Sequence, residues 1–196
     1  MLRAFLFSIL CFVMLPRVAA EKHTYDMYLL GNKIGTMIIE KTVRADGSEV
    51  YTLNSSATAK ILWSVRNNET KYETVYKNGK LISSTHRQYE NGKLDKFCFV
   101  TYDGKLYNVK NYLGTSTISE SINLSIISLY FFEPVKYTRI FYDAQGDFST
   151  IKSTEKGVYE FKSSDGNRNI YKYVNGVLQE AEFHVSIATV KIKRVS

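Results

Sequence analysis

YTLNSSATAKILW, residues 51–63, reads as a strand along its whole length. Tyr51, Leu53, Ser55, Ala57, Ala59, Ile61 and Trp63 fall on one face; Thr52, Asn54, Ser56, Thr58 and Lys60 fall on the other. Side chains of an extended backbone alternate between faces, so a period of two marks a strand with one side turned to a core. The run exceeds an ordinary strand, and a bend or bulge is expected near its small residues.

The rest of the chain repeats this signal between tight turns. Asp46-Gly47, Asn78-Gly79, Asn91-Gly92, Asp103-Gly104, Asp165-Gly166 and Asn175-Gly176 tolerate the left-handed backbone that short hairpin turns require. YKNGKL at Tyr76, YENGKL at Tyr89 and YDGKL at Tyr102 recur every 13 residues, and YVNGVL at Tyr173 is a fourth variant. One strand and one turn per unit describes an antiparallel meander, with the tyrosine packed beside the turn. Strands are expected at about 23–30, 34–44, 50–65, 70–77, 81–89, 95–102, 105–112, 136–142, 147–153, 157–163, 168–174 and 177–192. So many strands predict an all-β fold: a strongly curved antiparallel meander sheet or incomplete β-barrel, with a two-sheet sandwich as the alternative.

The rhythm breaks between Gly104 and Gly146, which contains STISESINLSIISLYFFEP from Ser116. A short helix capped by Ser119, Ser121 or Asn123 would carry Leu124, Ile127 and Phe131 on one face; an extended segment is the competing reading. It is at most one short helix, ended by Pro134. SLYFFEP, residues 128–134, could be a core element, a cavity wall or an exposed contact patch. The expectation adopted is that Leu129, Phe131 and neighbouring rings plug one end of the curved sheet.

The start of the chain carries an address. Arg3, the apolar run from Ala4 to Leu15, and small residues at Val18-Ala19-Ala20 form a secretory signal peptide over residues 1–20, leaving 21–196 as a single β domain. The apolar run is too short to span a bilayer, and no second long run predicts a transmembrane segment in the mature chain. Cleavage removes Arg3 and Arg17 and lowers the formal charge from +7 to +5, dispersed in pieces such as KTVR and KIKR. Dispersed charge marks a solvated face, and no recognition-helix pattern suggests nucleic acid. Cys98 is then the sole cysteine; flanked by aromatics, it reads as a buried thiol.

Motifs for chemistry are absent from the sequence. His23, His86 and His184 lack metal-ligand spacing, and Glu182 with His184 reads as a surface pair. No serine sits in a nucleophile elbow. Gly31 and Gly35 in LLGNKIGTM read as a sharp turn or relief of crowding, not a phosphate loop. No catalytic residue, metal site or cofactor is therefore assigned. An enzyme would need a polar cleft with at least two convergent acid, base or nucleophilic groups. Aromatic content is what remains: 15 tyrosines, the tryptophan, and rings that would line a pocket if the sheet encloses unfilled space.

YDMYLLGNKIGTMIIEKTVRADGSEVYTLNSSATAKI at the start of the mature chain, followed by LYFFEP, RIFYDAQGDFSTI and YKYVNGVLQEAEFHV, resembles a family of small exported β proteins of unknown function common in Gram-negative Bacteroidetes. The pattern is also similar to periplasmic β proteins of other Gram-negative bacteria. The resemblance implies a periplasmic or outer-envelope location and carries no catalytic residues. Two functions follow as expectations. One is a non-enzymatic module that binds an apolar, lipid-like or amphiphilic envelope molecule against Trp63, Tyr130, Phe131 and Phe132. The other is a structural or assembly protein that meets an envelope protein partner through its outer face or a sheet edge.

Overall fold

The computed structural model of the chain describes residues 20–61, 64–164, 166–185 and 188–196. They form one antiparallel sheet of fourteen strands. The first meander comprises β1 (Ala20–Leu29), β2 (Asn32–Val43), β3 (Glu49–Ile61), β4 (Ser64–Lys77), β5 (Lys80–Glu90), β6 (Lys93–Tyr102), β7 (Tyr107–Asn111) and β8 (Gly114–Ile118). The second comprises β9 (Arg139–Tyr142), β10 (Asp147–Glu155), β11 (Val158–Lys162), β12 (Arg168–Val174), β13 (Val177–Val185) and β14 (Ala188–Arg194). β1 pairs with β14, so the two meanders join at the ends of the chain and β8 and β9 become the two edges. One continuous sheet excludes the sandwich.

The tyrosine echo has a common geometry. Asn78-Gly79, Asn91-Gly92 and Asn175-Gly176 all adopt positive φ at both positions, the backbone of a type I′ hairpin. In each hairpin the repeated tyrosine faces the repeated leucine: Tyr76 opposite Leu81, Tyr89 opposite Leu94, Tyr173 opposite Leu178. In each, the register shifts at that tyrosine, which marks a β-bulge. Bulges bend a strand and increase its twist, so a motif repeated along the chain coils the sheet.

Several boundaries differ from expectation. The run expected at 50–65 ends at Ile61, which pairs with Ser64 as the chain reverses, and the run expected at 177–192 is the hairpin β13–β14. Neither reversal carries an Asn-Gly or Asp-Gly signal. β8 lies where no strand was expected. β3 keeps unbroken register with β4 from Glu49 to Ile61, so no bulge marks its small residues. Crowding is relieved on the neighbouring strand: a Cβ at Gly35 would run into the backbone of Ser56 and Ala57. Gly35→Ala is expected to cost about 1–3 kcal/mol of stability, read as a lower urea midpoint.

Curvature brings the two sheet ends together without pairing them. The turn after β9 enters the concave side, where Asp143 Oδ1 accepts hydrogen bonds from Ser84 Oγ at 2.6 Å and Thr74 Oγ1 at 3.3 Å. Asn111 Nδ2 donates to the Gln145 carbonyl at 2.6 Å, and Gly146 lies against Val109 and Cys98. β8 and β9 share no ladder, so the sheet is barrel-like but not a closed barrel.

Residues 119–138 connect these edges and fill one end. Ile122 bonds β5 and β7 through Leu81 N–H and Tyr107 Oη, and Leu124 accepts from Phe141 N–H of β9. The helical element is a single 3₁₀ turn, Ile126–Tyr130, entirely buried and without a side-chain cap. His23 Nδ1 donates to the Tyr130 carbonyl at 2.9 Å, and Tyr173 Oη donates to the Leu129 carbonyl at 2.7 Å. Phe131 packs between His23 and Tyr51, and Tyr130 meets Tyr25 edge to face. The segment is thus tied to β1, β3 and β12.

Candidate functional site

The plug occupies one end of the concave side and leaves the other open. The reason lies on β3. Tyr51 and Leu53 fill the plugged half, whereas Ser55, Ala57 and Ala59 project too little to fill the space beyond. A cavity of about 480 Å³ remains, within the range of small-molecule sites. Met27, Met37, Leu53, Phe183 and Val190 form apolar walls, and Ile126, Ile127 and Tyr130 of the plug close its inner end.

The opposing wall is built by Arg66, Asn68, Thr70 and Tyr72 of β4, His86 and Gln88 of β5, and Lys96 of β6. Strand register places Thr70, Gln88 and Lys96 side by side, then Tyr72, His86 and Cys98, then Thr74, Ser84 and Val100. Along β6, Lys96 is exposed while Cys98 and Val100 are buried, so the first row stands at the mouth. In the second row the His86 ring packs 4.5 Å from Tyr72, and its pKa falls to about 4 through burial first and the Lys96 charge second. Burial, with Asp143 and Asp147 nearby, pushes the Cys98 thiol up to about 12. Both groups are uncharged at neutral pH. Asp143, fully buried beyond the innermost row, has its carboxyl raised by burial against the opposing effect of the Ser84 and Thr74 hydroxyls.

The structure separates the residues singled out from sequence. Tyr130 lies in the cavity wall. Phe131 and Phe132 are half-buried against the core on the plug and are not part of that wall. Trp63 lies outside the described residues. Glu182 is held by Lys172 at 2.8 Å and Lys191 at 3.1 Å, and His184 Nδ1 bonds Thr189 Oγ1, a surface network. Among the described residues no group of His, Cys, Asp and Glu is arranged to hold a metal ion. Sequence alone gives Lys96 no role and weighs His86 only as a metal ligand, so neither is assigned to the cavity. Period two in DKFCFV carries the signal for Lys96, since it places that lysine on the face of Cys98.

The sequence family described as domain of unknown function DUF6134 matches residues 25–195. No match was found among curated proteins. The chain is similar in structure to the beta-barrel-like protein of domain of unknown function DUF1849 from Brucella abortus. Identity is 14% and the TM-score 0.59, over 91% of this chain and 96% of that one. At that identity the likeness is one of fold.

Proposed function

The chain belongs to the DUF6134 family, and we propose that it is a non-enzymatic binding module that holds an apolar or amphiphilic molecule of the cell envelope in the cavity of its curved sheet. The observation that carries this reading is the cavity itself: about 480 Å³, walled mainly by apolar and aromatic side chains, with polar side chains from β4, β5 and β6 and from around Gln145 and Asn169 among them. Small β-barrels fill their interior with side chains, and larger ones enclose ligand cavities or channels. Here small residues on β3 keep the cavity open. Export to the periplasm or outer envelope, with residues 1–20 removed, belongs to the same proposal and rests on the amino-terminal sequence.

Native mass spectrometry of the protein purified gently from the cell envelope tests it. A co-purifying species of lipid-like mass is the expected result; a bare monomer that also takes up no lipid from an envelope extract would contradict it. The β8 edge favours a second reading, as a structural or assembly protein. Gly114–Ile118 is uncharged, largely exposed and paired on one side only among the described residues, an edge open to strand addition. A defined oligomer without a bound small molecule is the outcome that would favour it.

A further inference from the structure

We propose that the cavity takes an anionic amphiphile, its apolar chain running inward toward the plug and its acidic head group held at the mouth by Lys96. The inference rests on the binding reading above and adds the chemical class of the ligand.

The cavity wall holds two charged side chains among the described residues, Arg66 and Lys96, and both are cationic. Arg66 is already paired with Glu90 at 3.1 Å. Lys96 has no carboxylate at ion-pair distance among the described residues, and its ammonium lies 5.6 Å from the centre of the Tyr112 ring, itself part of the wall. The nearest acid in sequence, Asp95, is turned to the Gln88 amide at 3.5 Å.

Lys96 does not stand alone. Gln88 and Thr70 lie beside it in the same row on adjacent strands, with side chains about 5 Å apart; Gln88 donates one amide hydrogen to Asp95 and keeps a second, so one head group can meet the Lys96 charge, the Thr70 hydroxyl and that second hydrogen together. Behind that row no charged side chain lines the cavity: His86 is neutral at pH 7, and Asp143, bonded to Ser84 and Thr74, is not part of the wall. The opposite wall is Met27, Met37, Leu53 and Val190. A positively charged mouth above a mainly apolar interior, whose remaining polar side chains such as Ser55 and Asn169 are uncharged, matches an anion at one end of a hydrocarbon chain. A cationic head would meet Lys96 and Arg66 as like charges, and a neutral head would leave the ammonium unpaired.

The test compares three twelve-carbon probes below their micelle concentrations: dodecanoate, monododecanoylglycerol and dodecyltrimethylammonium. Each is titrated calorimetrically into the purified protein at about pH 8 and low salt. Dodecanoate is expected to bind about tenfold more tightly than either other probe, with the advantage shrinking in about 0.5 M salt. Lys96→Ala is expected to remove most of that advantage, bringing dodecanoate close to the affinity of monododecanoylglycerol. Lys96 is exposed, so the variant folds. Equal affinity for all three probes, or a Lys96→Ala effect shared by all three, would overturn the head-group assignment and leave the binding reading intact. Failure of all three to bind would overturn both.

Discussion

Leu129→Asp is expected to leave the protein unfolded at room temperature. Leu129 is completely buried in the 3₁₀ turn that fills one end of the sheet, and its backbone carbonyl accepts from Tyr173 Oη. Truncating such a leucine to alanine costs about 2–5 kcal/mol. A carboxylate adds the penalty of removing a charge from water, several kcal/mol more unless the group takes up a proton. The sum approaches the whole stability of a domain this size, about 5–15 kcal/mol. Urea denaturation followed by circular dichroism checks it, with Leu113→Asp as the control, because Leu113 is 77% exposed. The control should move the midpoint by no more than about 0.5 kcal/mol in equivalent stability. A folded Leu129→Asp protein with the parent midpoint would mean that the plug does not hold the sheet together.

Acid should weaken the protein through His86, and the sign follows from its depressed pKa. The folded protein keeps the imidazole neutral down to about pH 4, because burial and the Lys96 charge both oppose protonation. The unfolded chain protonates it near the usual 6.5. Its contribution is therefore fully present above pH 6.5 and is lost as pH falls through 4, by about 3 kcal/mol in all. His86→Phe keeps a ring against Tyr72 and removes the titration. The expected result is a stability profile flatter than the parent's between about pH 7 and pH 4, read from urea midpoints. Asp143 acts in the opposite sense: its raised carboxyl pKa makes its contribution grow as pH falls, in parent and variant alike. The difference between the two profiles isolates His86, and identical profiles would contradict the assignment.

Much of the architecture was legible in the residues. Hairpins announced by Asn-Gly form where the sequence puts them, since a left-handed turn is a local property and asparagine followed by glycine accepts it. Reversals without that chemistry, between Ile61 and Ser64 and between β13 and β14, look like single long strands in the sequence. β8 was missed for a related reason: GTSTI buries almost nothing, so no alternation marks it. The plug was anticipated from SLYFFEP, although its rings divide, with Tyr130 facing the cavity and Phe131 packing away from it.

Local chemistry thus determined an all-β meander, the type I′ turns at its repeated tyrosines, and the inward face of β3 from Tyr51 to Ala59. Each depends on residues close in the chain, whose period and turn preference act whatever the rest of the molecule does. Tertiary structure alone decided that the sheet ends overlap without pairing, and that Asp143 reaches Thr74 and Ser84, 69 and 59 residues away in the chain. It also decided that Lys96, Gln88 and Thr70 stand together at the mouth of a cavity. Register and accumulated curvature set those distances, and both are sums over many strands to which no single stretch of sequence gives access.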